Sequence, residues 1–528
     1  MNRAILNARR KLSILFLLLP FGASAQISQP DMLALRGFGG NSFVSQQVIK
    51  QTDGGFVLAI GSTVNGSNLD SFCIWNGNKV VFMKYSADGS TFEWSKCYRA
   101  HYNDSSLQYL YSTTGSNFVL GGLVYSNFHH KILLRKEDPS GVLLWRRTYG
   151  DSAEALIRAM TATTDGGYII AGDCVYTDND FPIHYGSWVN EDLAIIRVDS
   201  NGNKVWSKVI GGTGIDVVRS VINAPGDGSY VIGTTYSVDN FFTSNHGGGD
   251  GYVIRLDKDG NIIWTRCIGG AADDMADYAC TDNQGGVIVA GRNKSGYGDR
   301  TVFHPFGCPI WIVNIDSNKN IVWDNCYGGG DSTSYCYATA VCKATDGTIW
   351  IAGVSSNPGN YVASNYGNDD AWFLHLNNTG SFINARVLGS SQVDRGTMVY
   401  PLSNGNVVAG GFYNATDGSF ASLPPYEVTP TQHAFLTVFS PWTVAISENT
   451  TSGNIEIYPN PASECLNIIV LQKEECSLTI TNLAGNKVFS STVSQKRQIQ
   501  TTDWEKGVYL VQLVSENGYR EIRKIILQ

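Results

Sequence analysis

Six long polar stretches of this 528-residue sequence carry the side chains best suited to recognition. They run over 62–78, 173–191, 234–250, 292–308, 354–369 and 412–433. In five of them the candidate groups are rings: Trp75; Tyr176, His184, Tyr185 and Trp188; Phe242 and His246; Tyr297 and His304; Tyr361 and Tyr366. Flat rings beside hydrogen-bonding neighbours suit sugar rings or the loops of another protein. The same rings would also serve simply to pack long loops onto a scaffold. A second set is acidic. Gly211-Gly212 leads to Asp216, Gly269-Gly270 to Asp274, and Gly389 to Asp394. Repeated carboxylates of this kind either offer oxygen ligands to Ca²⁺ or cap backbone N–H groups where a strand begins; capping is the expected use. Asp257-Lys258-Asp259-Gly260 starts like a calcium loop but lacks the closing Glu, so it reads as a hairpin turn. No Ser-His-Asp context, His-x-x-x-His pair or phosphate loop occurs. Catalytic residues, a resident metal and a cofactor are therefore not expected.

These groups must be held by something, and the sequence repeats. A tight turn and an apolar strand recur, as in Asp53-Gly54-Gly55-Phe56, Asp165-Gly166-Gly167-Tyr168 and Gln284-Gly285-Gly286-Val287, with weaker copies at Gly115, Gly228, Gly347 and Gly405. That makes seven units. Downstream in each lies a strand, a turn and a second strand ending in Trp94, Trp145, Trp206, Trp264 or Trp323, with Asn384 in the sixth. Each unit thus reads as two hairpins, or four strands. The Trp residues are expected to be wedges between neighbouring units. The seventh unit stops after a third strand at 434–439, while 32–40 resembles a fourth strand lacking the first three. Residues 26–445 therefore read as a seven-bladed β-propeller closed by its N-terminal strand. In that fold the long stretches are the links between second and third strands, gathered on one face.

Composition agrees with an all-β chain. It has 57 Gly, 26 Tyr, 22 Phe and 12 Trp, which disfavour helical bundles. A hydrophobic fraction of 43% excludes general disorder. Arg3, Arg9, Arg10 and Lys11 lie in the first 25 residues with no acid, so the net charge of −8 becomes −12 without them. An acidic chain with no basic cluster excludes nucleic acid as a main partner. The basic start, the apolar run 12–21 and Ala23-Ser24-Ala25 read as a cleaved secretory signal over 1–25. No segment is long and apolar enough to read as a transmembrane helix.

Eleven cysteines are an odd number for an exported chain. Cys267 and Cys326 fall at equivalent fourth-strand positions, Cys280 and Cys342 at equivalent first-strand positions. Fourth and first strands stand about 14 Å apart at ~4.8 Å per strand, too far for a bridge. All four are expected to be buried free thiols.

After a polar linker over 446–454, residues 455–528 alternate as a small antiparallel β-sandwich. They carry Tyr458-Pro459-Asn460-Pro461, a turn around Gly485, Gly507-Val508-Tyr509, and a basic-apolar ending from Lys524. This ordered set resembles the C-terminal sorting domain of the type IX (Por) secretion system of Bacteroidetes-type bacteria. The resemblance implies passage across the outer membrane by that machinery, with release or attachment at the cell surface. The repeats also resemble propellers found on such secreted proteins, which implies no activity. Two functions remain open: a non-enzymatic module binding a glycan or a protein, and an extracellular polysaccharide hydrolase or lyase. A lyase or hydrolase would need paired carboxylates or an arginine cluster at the centre, and nothing in the sequence places such groups together.

Overall fold

The computed structural model describes residues between 32 and 527, leaving out 63–78, 300–307, 329–335, 424–432, 440–454 and shorter pieces elsewhere. The expected signal segment 1–25 and linker 446–454 lie outside the described residues. The chain is all-β, built of many small antiparallel sheets; the one helical turn among the described residues is Gly418–Phe420. Residues from Pro30 to Pro441 form one compact unit, and those from Trp442 onward belong to a second.

In the first unit the described strands make seven four-stranded sheets. Six are runs of consecutive strands, beginning at Ser42–Lys50, Asp104–Ser112, Leu156–Ala162, Asp216–Ala224, Asp274–Thr281 and Cys336–Lys343. The seventh begins at Arg395–Pro401 and takes its fourth strand from Met32–Phe38, which pairs antiparallel with His433–Phe439. Burial explains the sequence pattern. Second and third strands such as Tyr168–Cys174, Asp192–Val198 and Asp370–Leu376 are buried at every position and read as continuous apolar runs. Fourth strands such as Lys204–Ile210 are largely open to solvent, and there the sequence turns polar.

A bulge recurs in the first strands. Register shifts fall between Ile157 and Ala159, Val218 and Ser220, Ala276 and Tyr278, Ala338 and Ala340, and Gly396 and Met398. Each bulge turns a carbonyl onto a glycine of the second strand. A β-carbon on Gly172 would lie 1.7 Å from the Leu156 carbonyl oxygen, and one on Gly291 1.8 Å from that of Met275. The glycine ending each apolar strand is thus a close-approach position.

The Trp residues join sheets. Indole N–H groups of Trp145, Trp206 and Trp264 donate to the carbonyls of Ser200, Lys258 and Ser317, at 3.2, 3.0 and 2.9 Å, each in the last hairpin turn of the following sheet. Those turns hold themselves. Asp257 accepts from the backbone N–H groups of Asp259 and Asn261 and from the Asn261 side chain, so its carboxylate is engaged within a hairpin turn.

The cysteine expectation needs correction. Cys267 and Cys342 are free and buried, and Cys280 is free but only partly buried, while Cys326 is disulfide-bonded, as is Cys97. The strand-spacing argument excluded a first-strand partner, and both first-strand cysteines are indeed free. It did not exclude a partner elsewhere.

The second unit pairs a three-stranded sheet, Ile455–Tyr458, Cys465–Val470 and Lys496–Gln500, with a four-stranded sheet ordered Lys487–Val493, Cys476–Asn482, Gly507–Ser515, Arg520–Leu527. Inward residues of both sheets, including Leu466, Ile468, Leu478, Ile480, Val511, Ile525 and Leu527, share one core.

Candidate functional site: a face of pinned loops

The long links between second and third strands return to the scaffold through buried carboxylates. Asp192, Asp250 and Asp370 open third strands and accept from the backbone N–H groups of Tyr185, His246 and Tyr366 at 2.6, 2.9 and 2.7 Å. Their partners across the sheet-to-sheet crossover are the repeated acids of the sequence. Asp216 accepts from Gly212 N (2.7 Å) and Ser237 Oγ (2.9 Å), and Asp274 from Gly270 N (2.6 Å) and Ser295 Oγ (2.7 Å). Asp394 accepts from Ser390 Oγ (2.8 Å) and Asn414 N (3.0 Å). Each carboxylate ties a crossover to the start of a loop. Among the described residues no group of three or more His, Cys, Asp or Glu is arranged to hold a metal ion. The third-strand acids escaped the sequence reading, although Asn245-His246-Gly247 before Asp250 and Asn365-Tyr366-Gly367 before Asp370 repeat a visible signal.

Burial dominates their electrostatics. It pushes the carboxyls of Asp192, Asp216 and Asp250 up, that of Asp370 to about 6, and that of Asp394 to about 7, with the Asp370 charge adding to the last. Asp173 is likewise pushed by burial to about 6. In the unfolded chain these groups titrate near 3.9. The folded state therefore holds protons that the unfolded state releases, so their stabilisation is present below about pH 4 and is lost as pH rises through 6–7. The carboxyls held below their usual range, such as Asp165 and Asp257, do not oppose it. Buried His375, pushed down to about 4, and His433, also pushed down, favour the folded state as pH rises through about 6.5. They offset part of the loss without matching the raised carboxyls. The melting temperature of the chain should be higher at pH 5.5 than at pH 8. The opposite order in a thermal melt across buffers of equal ionic strength would refute it.

The candidate rings divide by burial. Phe242 is fully buried against Tyr252, ring centroids 5.2 Å apart, and so packs its loop down. Tyr185 meets Phe241 edge-on at 5.6 Å, and Tyr361 sits between Tyr327 and Phe382 at 5.2 and 4.9 Å. His184 is mostly covered, its Nε2 2.9 Å from the Asn190 carbonyl and 3.5 Å from Asp192. Three groups keep substantial exposure: Tyr176, Tyr366, and His246, whose Nδ1 lies 2.7 Å from Asp250. Trp75, Trp188, Tyr297 and His304 lie outside the described residues.

In the second unit the structure describes part of the sequence motif. Tyr458 is exposed, with Lys496 Nζ 5.7 Å from its ring centroid, and its carbonyl accepts from Asn467 Nδ2 at 3.3 Å. Pro459 follows, while Asn460, Pro461 and Gly485 lie outside the described residues. Ala462, just beyond, donates its N–H to the Ile526 carbonyl at 2.8 Å. Gly507 stands opposite Leu527 and Lys524 opposite Leu510, and Tyr509 is buried against Trp504 at 5.4 Å. Ala462 is therefore a neighbour of the final strand.

Residues 456–528 match the family model described as the secretion system C-terminal sorting domain. This unit is the type IX sorting domain, which implies interaction with the secretion machinery and a secreted or outer-surface destination. No described helix is long and apolar enough to cross a membrane. An endo-acting ulvan lyase of Formosa agariphila is 25% identical over 163 residues, 30% of this chain; the chain spans only 28% of that relative's length. Among solved structures, a Synechocystis apocarotenoid oxygenase mutant is similar at 11% identity and a TM-score of 0.37, over 69% of this chain and 95% of that one. An acylaminoacyl peptidase of Pyrococcus horikoshii is similar at 11% identity and 0.38, over 82% and 59%.

Proposed function

We propose that this protein is a type IX cargo of Bacteroidetes type whose first unit is a closed, seven-bladed propeller that binds an extracellular glycan without cleaving it. The proposed domains are a signal peptide at 1–25, the propeller at 26–445, a linker at 446–454 and the sorting domain at 455–528. Closure is supported by the series of first strands. Each lies beside the next, and Arg395–Pro401 lies beside Ser42–Lys50. The N-terminal strand then removes the free edge that an open array would expose. The binding reading rests on one observation above all: loops pinned by buried carboxylates leave Tyr176, Tyr366 and His246 at the surface. Trp75, Trp188, Tyr297 and His304 are proposed for the same face.

A second reading, a polysaccharide lyase, is favoured by the partial similarity to the ulvan lyase. Affinity electrophoresis of the exported chain against a panel including ulvan, followed by assay for unsaturated chain ends, separates the two. Retardation by a polysaccharide that stays intact is the expected outcome. Depolymerisation with new unsaturated ends would replace binding by catalysis, and no retardation by any member would remove both.

A further inference from the structure

We infer that a neutral pyranose chain docks on a cluster of rings at the second sheet's central hairpin, formed by Tyr125, Phe128, His129, His130 and Tyr176 around Glu154. This inference rests on the glycan-binding reading and gives it an address that the long loops did not. In the second sheet the link between second and third strands is only two residues long. Ser126 pairs with His129, leaving Asn127 and Phe128 as the turn, with φ of 53° and 68°. Both central residues are left-handed, the geometry for which Asn-Gly is the usual choice. Asn127 fits it. Phe128 does not, because a β-carbon and a bulky ring at positive φ carry a steric cost. Burial returns nothing, since Phe128 is 87% exposed. A large apolar ring kept at a strained turn, in open solvent, has no account within the fold, and such outliers cluster at ligand-binding and other functional sites.

Its surroundings supply the rest of a sugar site. Tyr125, 51% exposed, has its ring centroid 4.9 Å from that of His130; Tyr176, 40% exposed, meets His129 edge-on at 6.2 Å. Glu154, itself at φ 47°, organises both imidazoles. It hydrogen-bonds His130 Nδ1, accepts the His130 backbone N–H at 3.0 Å, and lies 3.4 Å from His129 Nδ1. With Nδ1 held by the carboxylate, His130 Nε2 is the nitrogen left to meet a ligand hydroxyl. Rings for the C–H faces of a pyranose and edge groups for its hydroxyls are thus both present.

The charge selects among glycans. Glu154 is shared by two imidazoles, and Lys131, next to His130 in the chain, is mostly covered and paired with the exposed Asp151 at 3.0 Å. With Lys131 paired and Glu154 carrying a negative charge, the described groups of this cluster favour a neutral chain over a polyanion.

The test measures binding of laminarin, xylan and alginate to the full chain, with its melting temperature, for wild type and Phe128→Gly. Gly relieves the turn, so this variant should melt higher than wild type while binding laminarin or xylan about tenfold more weakly. Tyr176→Ala should weaken the same glycan to a similar degree, and Phe128→Asn, which also tolerates positive φ, serves if the Gly variant does not accumulate. Alginate should not bind. Wild-type binding of a neutral glycan that Phe128→Gly leaves unchanged overturns this site while the binding reading stands. Preference for alginate overturns the neutral assignment, and wild type that binds none of the three overturns the site and counts against the broader reading.

Discussion

A chain ending at residue 519 should be retained inside the cell envelope as completely as one lacking all of 456–528. The nine missing residues include the last strand, Arg520–Leu527, which pairs with Gly507–Ser515 along its whole length and carries Ile525 and Leu527 into the core. Burying each of these is worth about 1.5–3 kcal/mol. A domain of this size rarely holds more than about 3–5 kcal/mol in reserve. Removing the strand also strips Ala462 of the carbonyl that receives its N–H, and so loosens the segment after Tyr458-Pro459. The recognition surface then has no fixed form to offer the secretion machinery. Immunoblots of culture medium, cell surface and envelope fractions give the distribution, and a truncated chain outside the cell at wild-type levels would overturn the assignment of export to this domain.

The second large effect is expected at Gly172. A β-carbon there would stand 1.7 Å from the Leu156 carbonyl oxygen and 2.8 Å from its carbon, so main chain rather than a flexible side chain must move. The bulge that brings that carbonyl inward sits between two sheets' worth of buried apolar residues and has little room to retreat. Gly172→Ala should destabilise the first unit by ~3 kcal/mol or more. Gly226→Ala is the control. Gly226 has a positive φ, 74°, which Gly172 does not, but nothing lies within 4 Å of its added β-carbon, so only the conformational cost of about 1–2 kcal/mol applies. Denaturant midpoints measured on the two variants should differ clearly. Equal midpoints would mean that the bulge yields easily and the glycine is there for another reason.

The repeat was legible because its markers are local. A turn glycine, an apolar strand and a Trp announce themselves within ten residues, and the strands duly begin and end around them, as at Tyr168–Cys174 and Lys204–Ile210. The bulges were not legible, since a bulge is a relation of register between two strands and leaves only an unexplained glycine in each. The third-strand acids were missed for a similar reason. Asp192 closes on Tyr185 across a loop, and nothing near Asp192 alone says that its carboxylate will be buried. Asn127-Phe128 was illegible for the opposite reason to a long loop, since its informative feature is brevity. Cys326 shows the limit of arguing from strand spacing: distance within a sheet rules out partners but cannot supply one.

The pairing of Met32–Phe38 with His433–Phe439 has a meaning in time as well as space. A ribosome adds roughly 5–20 residues each second. The first strand is therefore made some tens of seconds before the strand it needs, and throughout that interval its hydrogen-bonding edge has no mate. Six sheets can assemble from neighbours as they appear, but the seventh must wait for the end of the unit. Until then the chain is held short of completion by its own wiring.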